Sequence, residues 1–261
     1  MSVVCYYASG FARSATPQDP RYGASVLQVA NPTPFETRLS ITLYYEDRAP
    51  AQVPEQVLKP YQSGFGCYFE EQFMDLFFNV NGYGARLISD VPLVVHHLVT
   101  CGVKGQREQF GLQEAWEFAA ERATAEPAHV WYFPGTSVEV YAPGEAPFYA
   151  PFNQTDWYHI LNPNDRPTQV KMRVRFDDGE QFCHQLDVPG ERVHVLDITN
   201  ILPVNRHGSL RFDSSEPVII TGERMRYDQE NLAGWGMHIH HNKPGIATPL
   251  LYNEFRMSST L

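Results

Sequence analysis

The feature that most constrains this chain is that it repeats itself. Val29 to Asp47 (VANPTPFETRLSITLYYED) and Ile160 to Asp178 (ILNPNDRPTQVKMRVRFDD) overlay without a gap. Each copy opens on an apolar segment, turns at Asn-Pro, crosses a polar loop and enters an alternating segment that ends in acidic residues. Leu39, Ile41, Leu43 and Tyr45 share one side of that alternation in the first copy. Val170, Met172, Val174 and Phe176 share it in the second. A period of two with one apolar side marks a half-buried antiparallel strand.

Further blocks recur in the same order. Cys5 to Gly10 (CYYASG) matches Val130 to Gly135 (VWYFPG), and Ser89 to Val95 matches Ser214 to Ile220. In the latter pair a polar turn ends in proline and opens a short apolar strand. Proline fits there because the first residue of a strand need not donate to the ladder. Strands ending in acidic turns are also expected at Gly66 to Glu70 and at Arg192 to Asp197. The expectation is an all-β chain of two tandem antiparallel β-sandwich domains, jelly-roll-like, over 1–105 and 129–230. A helical linker over 106–128 joins them, and a tail follows over 231–261. The helix is expected because the linker is rich in Glu, Gln and Ala, with Leu112, Trp116, Ala119 and Ala120 on one stripe.

Composition narrows the function. A net charge of −10 argues against general nucleic-acid binding, which needs a basic face. No apolar run approaches the ~18 residues of a membrane-spanning helix. The first ten residues lack the basic and apolar regions of a secretory signal, and Cys5, Cys67, Cys101 and Cys183 form no C-x-x-C pair. The chain is therefore expected in the cytoplasm with reduced, mostly buried thiols.

Each copy resembles the sensory rhodopsin transducer family. In the first copy the resemblance rests on CYYASG, ITLYYEDRAP and SDVPLVVHH, and in the second on WYFPG, MRVRFDDGE and SEPVIITGERMRYD. It implies an antiparallel sandwich, a homo-oligomer, and a role in binding a small molecule such as a sugar, or a signalling partner, without catalysis. It also implies a ligand-facing histidine late in the strand after the proline. That position is His97 in the first copy and Gly222 in the second. Because single-domain members are tetrameric, a chain with two copies is expected to form a homodimer with pseudo-fourfold symmetry.

The candidate residues follow from residue type and spacing. Tyr7, Trp131 and Tyr132 offer aromatic faces for stacking on a flat ligand. Arg224 and Arg226 share a strand face with Asp228, a pattern that grips anionic or hydroxyl-rich ligands. His238 and His240 stand two apart and would present two imidazoles to a divalent metal. His96 and His97 point to opposite sides of a strand, so they do not serve one metal together. G-x-S-x-G, P-loop, G-x-G-x-x-G and H-E-x-x-H patterns are missing from the sequence. The leading reading is a binding or signalling protein. The alternative is a metal-dependent β-sandwich or cupin-like enzyme using the histidine-rich tail.

Overall fold

The structure is a computed structural model that describes residues 3–13, 21–64, 80–103, 116–122, 126–141, 152–228, 241–243 and 246–247. Among them there is no helix, and every strand pair is antiparallel. The first half contains β1 (Val3–Arg13), β2 (Arg21–Ala30), β3 (Thr37–Tyr45), β4 (Ala51–Leu58), β5 (Ser63–Gly64), β6 (Val80–Ser89), β7 (Val94–Val103) and β8 (Trp116–Arg122). They form one curled sheet in the order β4-β3-β6-β1-β2-β7-β8, with β5 on β2. The second half contains β9 (Ala128–Val138), β10 (Phe152–Asn162), β11 (Thr168–Phe176), β12 (Gln181–Val188), β13 (Arg192–Asp197), β14 (Arg206–Asp228), β15 (His241–Lys243) and β16 (Ile246–Ala247).

The pairings of the two halves run in parallel. β3 lies between β4 and β6, and β6 also pairs with β1. Likewise β11 lies between β12 and β14, and β14 also pairs with β9. β10 then pairs with the far part of β14, as β2 pairs with β7. β14 runs unbroken for 23 residues and does the work that β6 and β7 share in the first half. The alternation expected for β3 and β11 is seen in their burial: Leu39, Ile41, Leu43 and Val170, Met172, Val174 are all enclosed.

A buried asparagine fastens each half. Asn31 Nδ2 donates to the carbonyls of Phe35 (2.7 Å) and Lys59 (3.0 Å), and its Oδ1 accepts from Thr33 N (3.0 Å) and Thr33 Oγ1 (2.8 Å). Asn162 repeats the pattern with Arg166 (2.8 Å), Pro189 (3.1 Å), Asn164 N (3.1 Å) and Asn164 Nδ2 (2.8 Å). The Lys59 and Pro189 carbonyls lie just past β4 and β12, so one carboxamide ties the Asn-Pro turn to a hairpin. The chain leaves each hairpin through a left-handed residue, Tyr61 (φ 53°) or Glu191 (φ 54°).

Two expectations need correction. The described part of the linker is not helical: Trp116–Arg122 is strand β8, laid along β7 with His97 opposite Glu121 and Cys101 opposite Trp116. An open sheet edge supplies ordered backbone partners, and that tertiary gain exceeds the few tenths of a kcal/mol per residue in helix propensity. The β1 and β9 blocks are also offset by one residue from the sequence match. Tyr6 opposes Arg86 and Tyr132 opposes Arg211, so Tyr6 corresponds to Tyr132 and Tyr7 to Phe133. A one-residue slip exchanges the two faces of a strand. The strand expected at Gly66 to Glu70 lies outside the described residues.

The halves pack face on face. Ala8 and Tyr44 of the first half belong to the same buried cluster as Leu161, Val193 and Ile219 of the second, with Tyr6 packed against it. Glycines make this approach possible. A Cβ on Gly82 would lie 2.5 Å from Val195 Cγ2, and one on Gly84 would lie 3.1 Å from Leu161 Cδ2. Glu46 closes the rim, accepting from Val195 N (3.2 Å) on the edge strand β13 and lying 3.5 Å from His194 Nδ1. Burial holds the His194 imidazole below its usual pKa despite that carboxylate.

Two variants test these fastenings. Gly82→Ala overpacks the junction and should cost about 1–3 kcal/mol. Asn162→Ala strands buried carbonyls and should cost at least about 2 kcal/mol. Both should lower the melting temperature by several degrees, read by thermal unfolding.

Candidate functional site

Polar side chains gather on the ladder between β10 and the far part of β14, and they use both of its faces. On the inner face Asp156 lies opposite Arg224. Arg224 grips it with Nε to Oδ1 (3.0 Å) and Nη2 to Oδ2 (3.3 Å), while Ser137 N donates to Oδ2 at 3.1 Å. Beside it Glu139 is 4% exposed. Its Oε1 accepts from Ser137 Oγ (3.0 Å) and from Gln154 Nε2, and its Oε2 accepts from the Tyr141 hydroxyl (2.9 Å). His207 stands over this carboxylate, with Nδ1 at 3.6 Å. Below lies an edge-to-face trio, Phe133, Tyr158 and Phe212, with centroids 5.0–5.9 Å apart. Burial, aided by the charge of Asp156, pushes the Tyr158 hydroxyl well above its usual pKa.

Both carboxylates of the inner cluster accept from protein donors. Two buried carboxylates and one guanidinium would otherwise be costly. Its chemistry is that of a fastening for the end of the second half.

The outer face differs. Trp157 lies opposite Glu223 and His159 opposite Thr221, so four polar side chains form a square on two adjacent strands. Directly opposed side chains have Cβ atoms about 4.5–5.5 Å apart. His159, Thr221 and Glu223 are 1%, 4% and 1% exposed. His159 Nε2 lies 3.2 Å from Glu223 Oε2, within ion-pair range but without the alignment of a hydrogen bond. His159 Nδ1, Thr221 Oγ1 and Trp157 Nε1 are buried without a hydrogen-bond partner. β1 of the first half crosses this face.

The residues singled out from sequence are dispersed. Tyr7 is 1% exposed and packs edge-on against Tyr83 at 5.9 Å. Trp131 is 3% exposed, and its Nε1 donates to Val218 O at 2.9 Å. Both are core residues, which corrects the stacking role expected of them. The cause for Tyr7 is the register slip. Tyr132 does reach the solvent side of β9, half-buried, with the Arg211 guanidinium 5.5 Å above its ring. Arg224 is engaged by Asp156 rather than held ready for a ligand. Arg226 stands opposite Gln154, and His97 stands in the other half, between Leu27 and Glu121. His238 and His240 lie outside the described residues. Among the described residues no three His, Cys, Asp or Glu side chains stand together as a metal site.

Reasoning from sequence missed Trp157, His159 and Thr221. A signal was there in the contrast between copies. Asn153 to His159 (NQTDWYH) lies over Tyr22 to Gln28 (YGASVLQ) when the Asn-Pro turns are aligned, and only the second copy carries an aspartate and a histidine.

The class defined by this arrangement is an all-β protein of antiparallel sheets curled around two cores. No family model and no curated protein matches the chain. Two solved structures are similar to parts of it. The crystal structure of Thermotoga maritima 1070 covers 47% of this chain and 97% of its own length, with 17% identity and a TM-score of 0.38. The Anabaena sensory rhodopsin transducer covers 36% and 91%, with 18% identity and a TM-score of 0.30. Each is a smaller protein that overlays less than half of this chain.

The inner cluster yields a direct expectation. Arg224→Ala leaves Asp156 buried without its counter-charge and should cost about 3 kcal/mol or more. Arg224→Lys should recover only part, because a point charge cannot reproduce the two-pronged contact. Denaturant unfolding of the three proteins gives the comparison.

Proposed function

We propose that this chain is a non-catalytic, cytoplasmic protein that binds a small polar molecule and works as a homodimer. One observation carries the binding reading. The β10–β14 ladder keeps buried polar side chains with unmet hydrogen-bonding capacity, and a buried polar group left unmet costs roughly 1–3 kcal/mol. A ligand that meets those groups recovers the cost. The corresponding first-copy segment carries Val26 and Gln28 in place of Trp157 and His159, so the binding role belongs to the second half. Cys5 and Cys183 stand as free thiols, which suits a reducing compartment.

The assembly reading draws on the way the halves meet. The β1–β3–β6 face of the first half packs on the β10–β13 face of the second. That contact is head to tail, joining unlike faces. The corresponding β9–β11–β14 face of the second half carries Tyr132, Arg173 and Arg211, each exposed or half-buried among the described residues. Head-to-tail contacts close into rings when the rotation allows. Two chains would then place four halves around a pseudo-fourfold axis.

Two measurements test the proposal. A thermal-shift screen of neutral, cationic and anionic small molecules should find one class that raises the melting temperature. Failure of every class would end the binding reading. Light scattering should give twice the chain mass, and a clean monomer at micromolar concentration would end the dimer.

A further inference from the structure

The outer-face square points to the chemistry of its ligand. Trp157 Nε1 is a donor only, and a carboxylate such as that of Glu223 is an acceptor only. Thr221 Oγ1 does both, and His159 Nδ1 takes either role with its tautomer. His159 and Thr221 are each more than nine-tenths buried, and their polar atoms share one face with Trp157 Nε1. A ligand suited to the square must therefore give and accept hydrogen bonds within a few ångströms. An ammonium group only donates and would leave the indole N–H unmet. A carboxylate only accepts, and Glu223 would repel it as it would a phosphate. Neighbouring hydroxyl groups meet the indole, imidazole and hydroxyl groups without repulsion from Glu223, and an indole ring beside them suits the C–H face of such a molecule.

We propose that Trp157, His159, Thr221 and Glu223 form a binding site for a small neutral molecule with neighbouring hydroxyl groups, held on the outer face of the β10–β14 ladder where the two halves meet. This rests on the reading of the chain as a small-molecule binder and names the site and the class. The site takes its walls from both halves. β10 and β14 supply the four polar residues, and β1 crosses the same face. In the first half the counterparts of His159 and Glu223 are Gln28 and Leu98, so the matching β2–β7 ladder does not repeat the square.

Thr221→Val and Trp157→Phe each delete one hydrogen-bonding atom and keep the shape. Both are compared with the wild-type chain and with Glu36→Ala, in the exposed loop that precedes β3. The probes are D-glucose, D-ribose and myo-inositol as neutral polyols, choline as a cation and inorganic phosphate as an anion, followed by melting temperature and titration calorimetry. A polyol should stabilise the wild type and Glu36→Ala. Its affinity should fall about tenfold or more in each of the two site variants. Without ligand, Thr221→Val should be as stable as the wild type or more so, because a buried unmet hydroxyl has been removed. A polyol that binds both site variants unchanged overturns the site and leaves the binding reading standing. Binding of choline or phosphate in place of polyols overturns the class. A Thr221→Val protein that is less stable without ligand also overturns the site, since its hydroxyl would then have a partner within the protein. No binding by any probe removes the inference, and the wider screen then judges the binding reading.

Discussion

Much of this structure hangs on a side-chain amide buried at an Asn-Pro turn. The turn sends the chain from one layer of strands to the other, where backbone carbonyls would lie buried and unpaired. Asn31 and Asn162 supply the missing donors and at the same time hold the loop through their own Oδ1. Proline, next in sequence, has no N–H to compete for those acceptors and favours an extended residue before it. Aspartate could not do this, having no N–H to give. Alternation then decides the rest. Once the turn is anchored, Leu39 and Val170 begin strands whose apolar sides can only face the core.

What the sequence disclosed follows that logic. Strict alternation and paired turn signals are local, so β3, β11 and β13 were legible residue by residue. The linker misled because helix propensity is a weak local preference, whereas the bond partners of β8 come from β7, some twenty residues away. The β1 match misled for another reason. CYYASG and VWYFPG are rich in aromatics on both faces, so similarity of type did not define which face each residue takes. Tyr6 and Tyr7 differ by one position and have opposite fates.

The polar ladder was legible only in fragments. Glu223 and Arg224 stood out as a charged run, but their partners His159 and Asp156 are more than sixty residues earlier. Strand pairing brings them together, and no local pattern announces it. The apparent unit, two arginines and an aspartate on one face, dissolves because Asp156 answers Arg224 across the ladder. Divergence between copies is the better guide. Where both copies must fold alike, their residues match in kind. Where NQTDWYH replaces YGASVLQ, the second half bears polar groups that folding alone does not require.

The glycine-flattened face of β6 has a consequence for how such a chain is made. Synthesis runs from the N-terminus, so Gly82, Gly84, Ala8 and Tyr44 leave the ribosome long before Leu161, Val193 and Val195. For that interval the nascent first half carries a smooth apolar surface whose cover has not yet been translated. A slow ribosome would prolong the exposure, and a chain cut short between the halves would keep the surface open for good.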